Sequence, residues 1–152
     1  MRKLLPLLLA LLMLACNRTE HNSASDPAYA MLERVAELNA GGDKPGALAL
    51  ADSALLMHPA DTTRCWLLSE KAVTLVDMGR MADAVGVAQG AYRLAEKLHD
   101  VDAMLNLRGT MGIAYRRLGK TDSALVQYKE GIQMALAEHN AEYEIYLNNC
   151  VT

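Results

Sequence analysis

Three glycines set a register along this chain of 152 residues. Gly42 is followed by Ala47, Ala51 and Ala54, Gly79 by Ala84, Ala88 and Ala91, and Gly119 by Ala124, Tyr128 and Gly131. The offsets are five, nine and twelve each time, and the glycines stand 37 and 40 residues apart. Steps of three and four residues share one face of an α-helix. Small side chains on that face let a second helix approach closely. A glycine ahead of them can take the left-handed conformation that ends one helix and turns the chain into the next. A period of this length marks a solenoid of stacked units.

A second stripe precedes each glycine. Met31, Val35 and Leu38 lead to Gly42, and Leu68, Ala72 and Leu75 to Gly79. Leu107, Met111, Gly112 and Tyr115 lead to Gly119. The spacing predicts helices near 27–40, 43–56, 62–77, 81–97, 101–117 and 121–138, with a seventh opening near Ala141. Asp26-Pro27 offers an N-cap and a helix-opening proline, Asp100 can cap the fifth helix, and Lys120 or Thr121 starts the sixth. Pro45 falls in a first turn and Pro59 beyond a helix end, where each is tolerated or stops continuation. No alternating run argues for strands, so the expected class is all-α.

This pattern resembles the tetratricopeptide repeat. Residues 107–137 match best, through Gly112, Tyr115, Gly119, Ala124 and Tyr128. In that family the residue matching Gly112 lies where paired helices cross, and the aromatic matching Tyr115 fills the gap between them. The second unit keeps Ala72 and Ala84 but has Leu75 and Ala88 at the aromatic positions. The first keeps Ala47, Ala51, Ala54 and the closing Pro59. The resemblance implies a right-handed solenoid of helical hairpins over 27–152, with units near 27–59, 62–98 and 101–139 and a partial fourth at 141–152. A unit that stops after one helix leaves an apolar face open. The expectation is therefore an amino-terminal portion of a longer protein, with self-association through the open end; a short native cap is the alternative.

The first fifteen residues have a different composition. Arg2-Lys3 precede an apolar run from Leu4 to Ala15, shorter than the roughly 18–20 residues of a spanning helix. The run reads as an export signal. Met13-Leu14-Ala15-Cys16 resembles the lipobox of bacterial lipoproteins, which implies a signal peptide at 1–15, lipidation of Cys16 and a membrane anchor. Leu14 departs from the small residue usual there. A plain secretory signal or a retained anchor would fit the same residues. Asn17, in place of the Asp associated with inner-membrane retention, directs the resemblance towards the outer membrane. Residues 16–26 are polar and suit a flexible tether. Without residues 1–15 the chain has 13 Lys+Arg against 18 Asp+Glu. That balance does not suggest a nucleic-acid surface.

The residues that carry chemistry are dispersed. His21, His58, His99 and His139 have no partner at metal-ligand spacing, so no metal or cofactor is expected. Cys65 reads as a buried free thiol, although pairing with Cys150 stays open. Asp43, Asp83 and Asp122 follow the turn glycines and favour helix starts rather than an acid–base pair. Gly109, Gly112 and Gly119 belong to packing and capping, not a phosphate loop, and no nucleophile elbow or HExxH is present. No catalytic residue is therefore assigned.

A solenoid binds on its concave face. The family's geometry implies that Tyr29, Trp66, Ser69, Asp77, Asn106, Ile113, Arg116 and Arg117 face it. Trp66 is the only Trp and a candidate anchor, since aromatic and Arg residues dominate hot spots. Ordinary packing between units would explain Trp66 equally well. The Lys, Asn and Arg clamp of some family members is absent, because Ser69, Val73, Gly109 and Ile113 stand at its positions. The expected function is a non-enzymatic module of an exported, lipid-anchored protein that binds a protein or peptide. The alternative is the sensory region of a larger membrane signalling protein with a kinase or DNA-binding output.

Overall fold

The computed structural model describes residues 26–151, in which seven α-helices follow one another. They are α1 (Pro27–Ala40), α2 (Lys44–Leu55), α3 (Asp61–Asp77), α4 (Met81–Leu98), α5 (Val101–Arg117), α6 (Thr121–Ala137) and α7 (Ala141–Val151). Consecutive helices pair as antiparallel hairpins, giving three hairpins and one further helix. The expected signal peptide at 1–15, the expected lipidation at Cys16 and all of the expected tether but Asp26 lie outside the described residues. No described helix is long and apolar enough to cross a membrane.

The two kinds of helix have different neighbours. The odd-numbered helices touch one another in succession, α1 with α3, α3 with α5 and α5 with α7. The even-numbered helices lie against the odd-numbered ones, and among the described residues their backbones do not come as close to each other. The stack therefore curves, with the odd-numbered helices on its inner side.

The small-residue stripe makes this spacing possible. Ala47, Ala51 and Ala54 on α2 are wholly buried, as are Ala84, Ala88, Ala91 and Ala95 on α4. On α6, Ala124, Tyr128 and Ala135 are buried with Gly131. At the best-matched crossing, Tyr128 of α6 lies so close to Gly112 of α5 that a Cβ there would overlap its ring. Tyr115 is only half-buried and accepts a hydrogen bond from Gln89 Nε2 at 3.1 Å. Tyr128, rather than Tyr115, thus occupies the space that Gly112 leaves.

Turns alternate in kind. After α1, α3 and α5 the chain passes through Gly42, Gly79 and Gly119 at φ of 85°, 80° and 73°. In each turn the next amide bonds to the carbonyl five residues back, as from Lys120 to Tyr115 O at 2.9 Å. After α2, α4 and α6 the left-handed residue is His58, His99 or His139. The sequence places these histidines at helix ends but does not reveal that conformation. Asp100 and Asn140 then donate the same backward bond to Ala95 O and Ala135 O. Pro59 follows His58 and has no N–H to donate, so the first such turn lacks it. Of the capping residues expected from the sequence, Asp26 and Asp100 accept bonds from helix amides, whereas Lys120 makes no side-chain cap.

Candidate interaction groove

A groove of about 420 Å³ runs along the inner side of the stack. Val73, Val76 and Asp77 of α3 form one wall, Asn106, Thr110, Ile113 and Arg117 of α5 the floor, and Glu142, Tyr143 and Tyr146 of α7 the other wall. Helical periodicity explains the floor, because steps of four, three and four residues keep one face of α5 turned inward.

Polar bonds between odd-numbered helices hold this surface. Asn39 of α1 donates to Glu70 of α3 at 2.8 Å, and its Oδ1 lies 2.9 Å from Thr74 Oγ1. Ser69 of α3 donates to Asn106 Oδ1 at 2.8 Å. Asn140, ahead of α7, donates from Nδ2 to Asp102 of α5 at 3.2 Å and accepts from the Tyr143 amide at 3.2 Å. These bonds tie α5 to α7 with the two helices running parallel.

Glycines form the seat of α7. Leu147 is wholly buried. A Cβ on Gly131 would lie 2.7 Å from Leu147 Cδ1, and one on Gly109 would lie 2.7 Å from Tyr146 Cε1 and 3.2 Å from its hydroxyl. Tyr146 is 40% exposed and lines the groove, while the hydroxyl end of its ring lodges on Gly109. Burial, with the nearby Cys150 thiol, pushes that phenol up to about 12. Tyr143 and Tyr146 meet edge-on, with ring centroids 6.4 Å apart.

The charges sit at the two ends. Lys44 pairs with Asp77 at 2.7 Å and neutralises it. Arg117 donates to Val76 O at 3.0 Å, across the C-terminus of α3, and has no carboxylate partner among the described residues. Glu142, in the first turn of α7, has no cationic partner among them.

Of the residues expected on the concave face, Asp77, Asn106, Ile113 and Arg117 line this groove. Ser69 is buried beneath it. Trp66 is half-buried against the core between the second and third hairpins, and its indole N–H donates to Asp100 at 3.0 Å. Tyr29 is 37% exposed on α1, outside the groove. Arg116 is exposed and reaches Cys150 O at 3.3 Å. Thr110, Glu142, Tyr143 and Tyr146 are additions. Tyr143 and Tyr146, three residues apart on the seventh helix, share a face and are the local signal for that wall.

Cys65 and Cys150 are both free thiols; Cys65 is buried, and its desolvation, with the Asp100 charge, pushes it up to about 11. Among the described residues no group of three or more His, Cys, Asp and Glu side chains is placed to hold a metal ion.

No curated protein matches the chain. Residues 63–137, which span α3 to α6 apart from the first residues of α3, match the family model of the tetratricopeptide repeat. Helices α3 to α6 therefore carry tetratricopeptide repeats.

Proposed function

We propose that this chain is an exported, lipid-anchored interaction module that takes an extended segment of another protein in the groove between α3, α5 and α7. The observation that carries the binding part is the groove itself. Three successive odd-numbered helices converge on it, its walls are largely apolar, and fixed polar groups lie on its floor. Such a mixture suits peptide recognition, in which apolar contacts give affinity and a few placed polar groups fix register. The anchoring part rests on Arg2-Lys3, the apolar run and Cys16, all in the sequence alone.

Each part has its own test. Selection of peptides from a displayed library against the full chain should yield binders that Val73→Glu and Ile113→Glu abolish. Binders that tolerate both substitutions would remove the groove as the site. Labelled fatty acid should enter the wild-type chain and not Cys16→Ala; equal labelling of both would end the anchoring reading. The exposed outer face of α7 supports self-association, which should weaken in sedimentation when Ile145 becomes Asp. An unchanged sedimentation profile would exclude that face.

A further inference from the structure

Three features of the groove narrow what can occupy it. The first is its charge pattern. Asp77 is already matched by Lys44, so the end near the C-termini of α3 and α5 carries the positive charge of Arg117. One backbone bond uses a single guanidinium N–H, and the rest of that fork can meet a carboxylate. At the other end, where Asn106 meets Tyr143, Glu142 supplies a negative charge. The second feature is length. From Asn106 to Arg117 the floor follows 11 steps of one helix, which at about 1.5 Å per residue is roughly 16 Å. An extended chain rises about 3.3 Å per residue, so about five residues span it. The third is the middle, where Val73, Ile113 and the exposed part of Tyr146 are apolar or aromatic.

We infer that the groove selects an extended segment of about five residues with an acidic side chain at the Arg117 end, a basic one at the Glu142 end and apolar residues between. This rests on the groove being the binding site, as proposed above. Opposite charges at the two ends give the segment a register and repel partners with the wrong sign.

Fluorescence anisotropy of labelled, end-blocked pentapeptides on the full chain tests it. Asp-Leu-Tyr-Leu-Lys should bind best. Versions with Asp at both ends, Lys at both ends or Ser at both ends should each bind roughly three- to fivefold more weakly for every charge lost or reversed, the scale of a partly exposed ion pair. Arg117→Glu should invert the preference at its end and favour Lys at both ends. Arg117→Gln, which keeps a donor for Val76 O, should erase the difference between Asp and Ser there. Far-UV circular dichroism checks that both variants stay helical. If all four peptides bind alike and all are lost in Ile113→Glu, the charge rule is overturned while the groove remains the site. If none binds, or binding survives Ile113→Glu, the groove reading fails and this inference fails with it.

Discussion

Cys65 on α3 and Leu105 on α5 are wholly buried, yet Ile145 on α7, in the same register 40 residues further on, is 63% exposed. The difference lies in the neighbours. In the middle of the stack, α4 and α6 cover the outer sides of α3 and α5. Among the described residues nothing covers that side of α7, which packs on the stack through Tyr143, Tyr146, Leu147 and Cys150 on its inner side. A register read from sequence therefore fixes which face a residue belongs to, while the neighbouring helix decides whether that face is buried.

The largest effect that could break this comparison is in the core. Leu105→Ala should destabilise the fold by about 2–5 kcal/mol, whereas Ile145→Ala should stay within about 0.5 kcal/mol, read from urea midpoints. Equal losses at the two sites would show that Ile145 is covered in solution. A glycine pair comes next. Gly112→Ala forces a Cβ into the Tyr128 ring and should cost about 1–3 kcal/mol globally. Gly109→Ala first meets the Tyr146 and Leu147 side chains of α7. It should speed amide exchange in α7 while leaving α3 to α5 protected. Loss of protection throughout would mean that α7 unfolds only with the whole stack.

The turns give a smaller contrast. Gly79→Ala places a Cβ at φ of 80° and should lower stability by about 1 kcal/mol, whereas His99→Gly should change it by less than that in either direction. The smallest effect is in the pH response of α7. The folded Tyr146 phenol keeps its proton to about pH 12, while an unfolded tyrosine loses it near 10. The folded state therefore binds more protons between these values, and the hold on α7 should weaken as pH rises from 10 to 12. Ultraviolet titration of wild type against Tyr146→Phe should show one late-ionising phenol lost. An ordinary midpoint for that phenol would mean that its hydroxyl does not lodge on Gly109.

Much of the fold was legible because it is local. The six full helices expected from spacing agree with the structure to within one residue at each end, since glycine turns and small-residue stripes act over a few residues. The groove was legible only where it follows a single helix. Asn106, Ile113 and Arg117 share one face of α5 and could be placed by counting. Trp66 could not, because its indole N–H bonds to Asp100, 34 residues away. Nor could Ser69, which lies beneath the surface, donating to Asn106. Glu142 and Tyr146 became part of the site through the way α7 rests on Gly109 and Gly131, a tertiary fact with no local pattern. Left-handed histidines were hidden because residue type biases that conformation without dictating it.

The hydrogen bonds from Asn39 to Glu70 and from Ser69 to Asn106 have a consequence for how the stack responds to load. Alanine stripes are smooth, and helices packed on them alone could slide by a turn. Polar bonds between successive inner helices act as pawls, so slippage must break them outright. Pulled at its ends, this solenoid should lengthen in discrete jumps as hairpins detach one after another, with α7 giving way first.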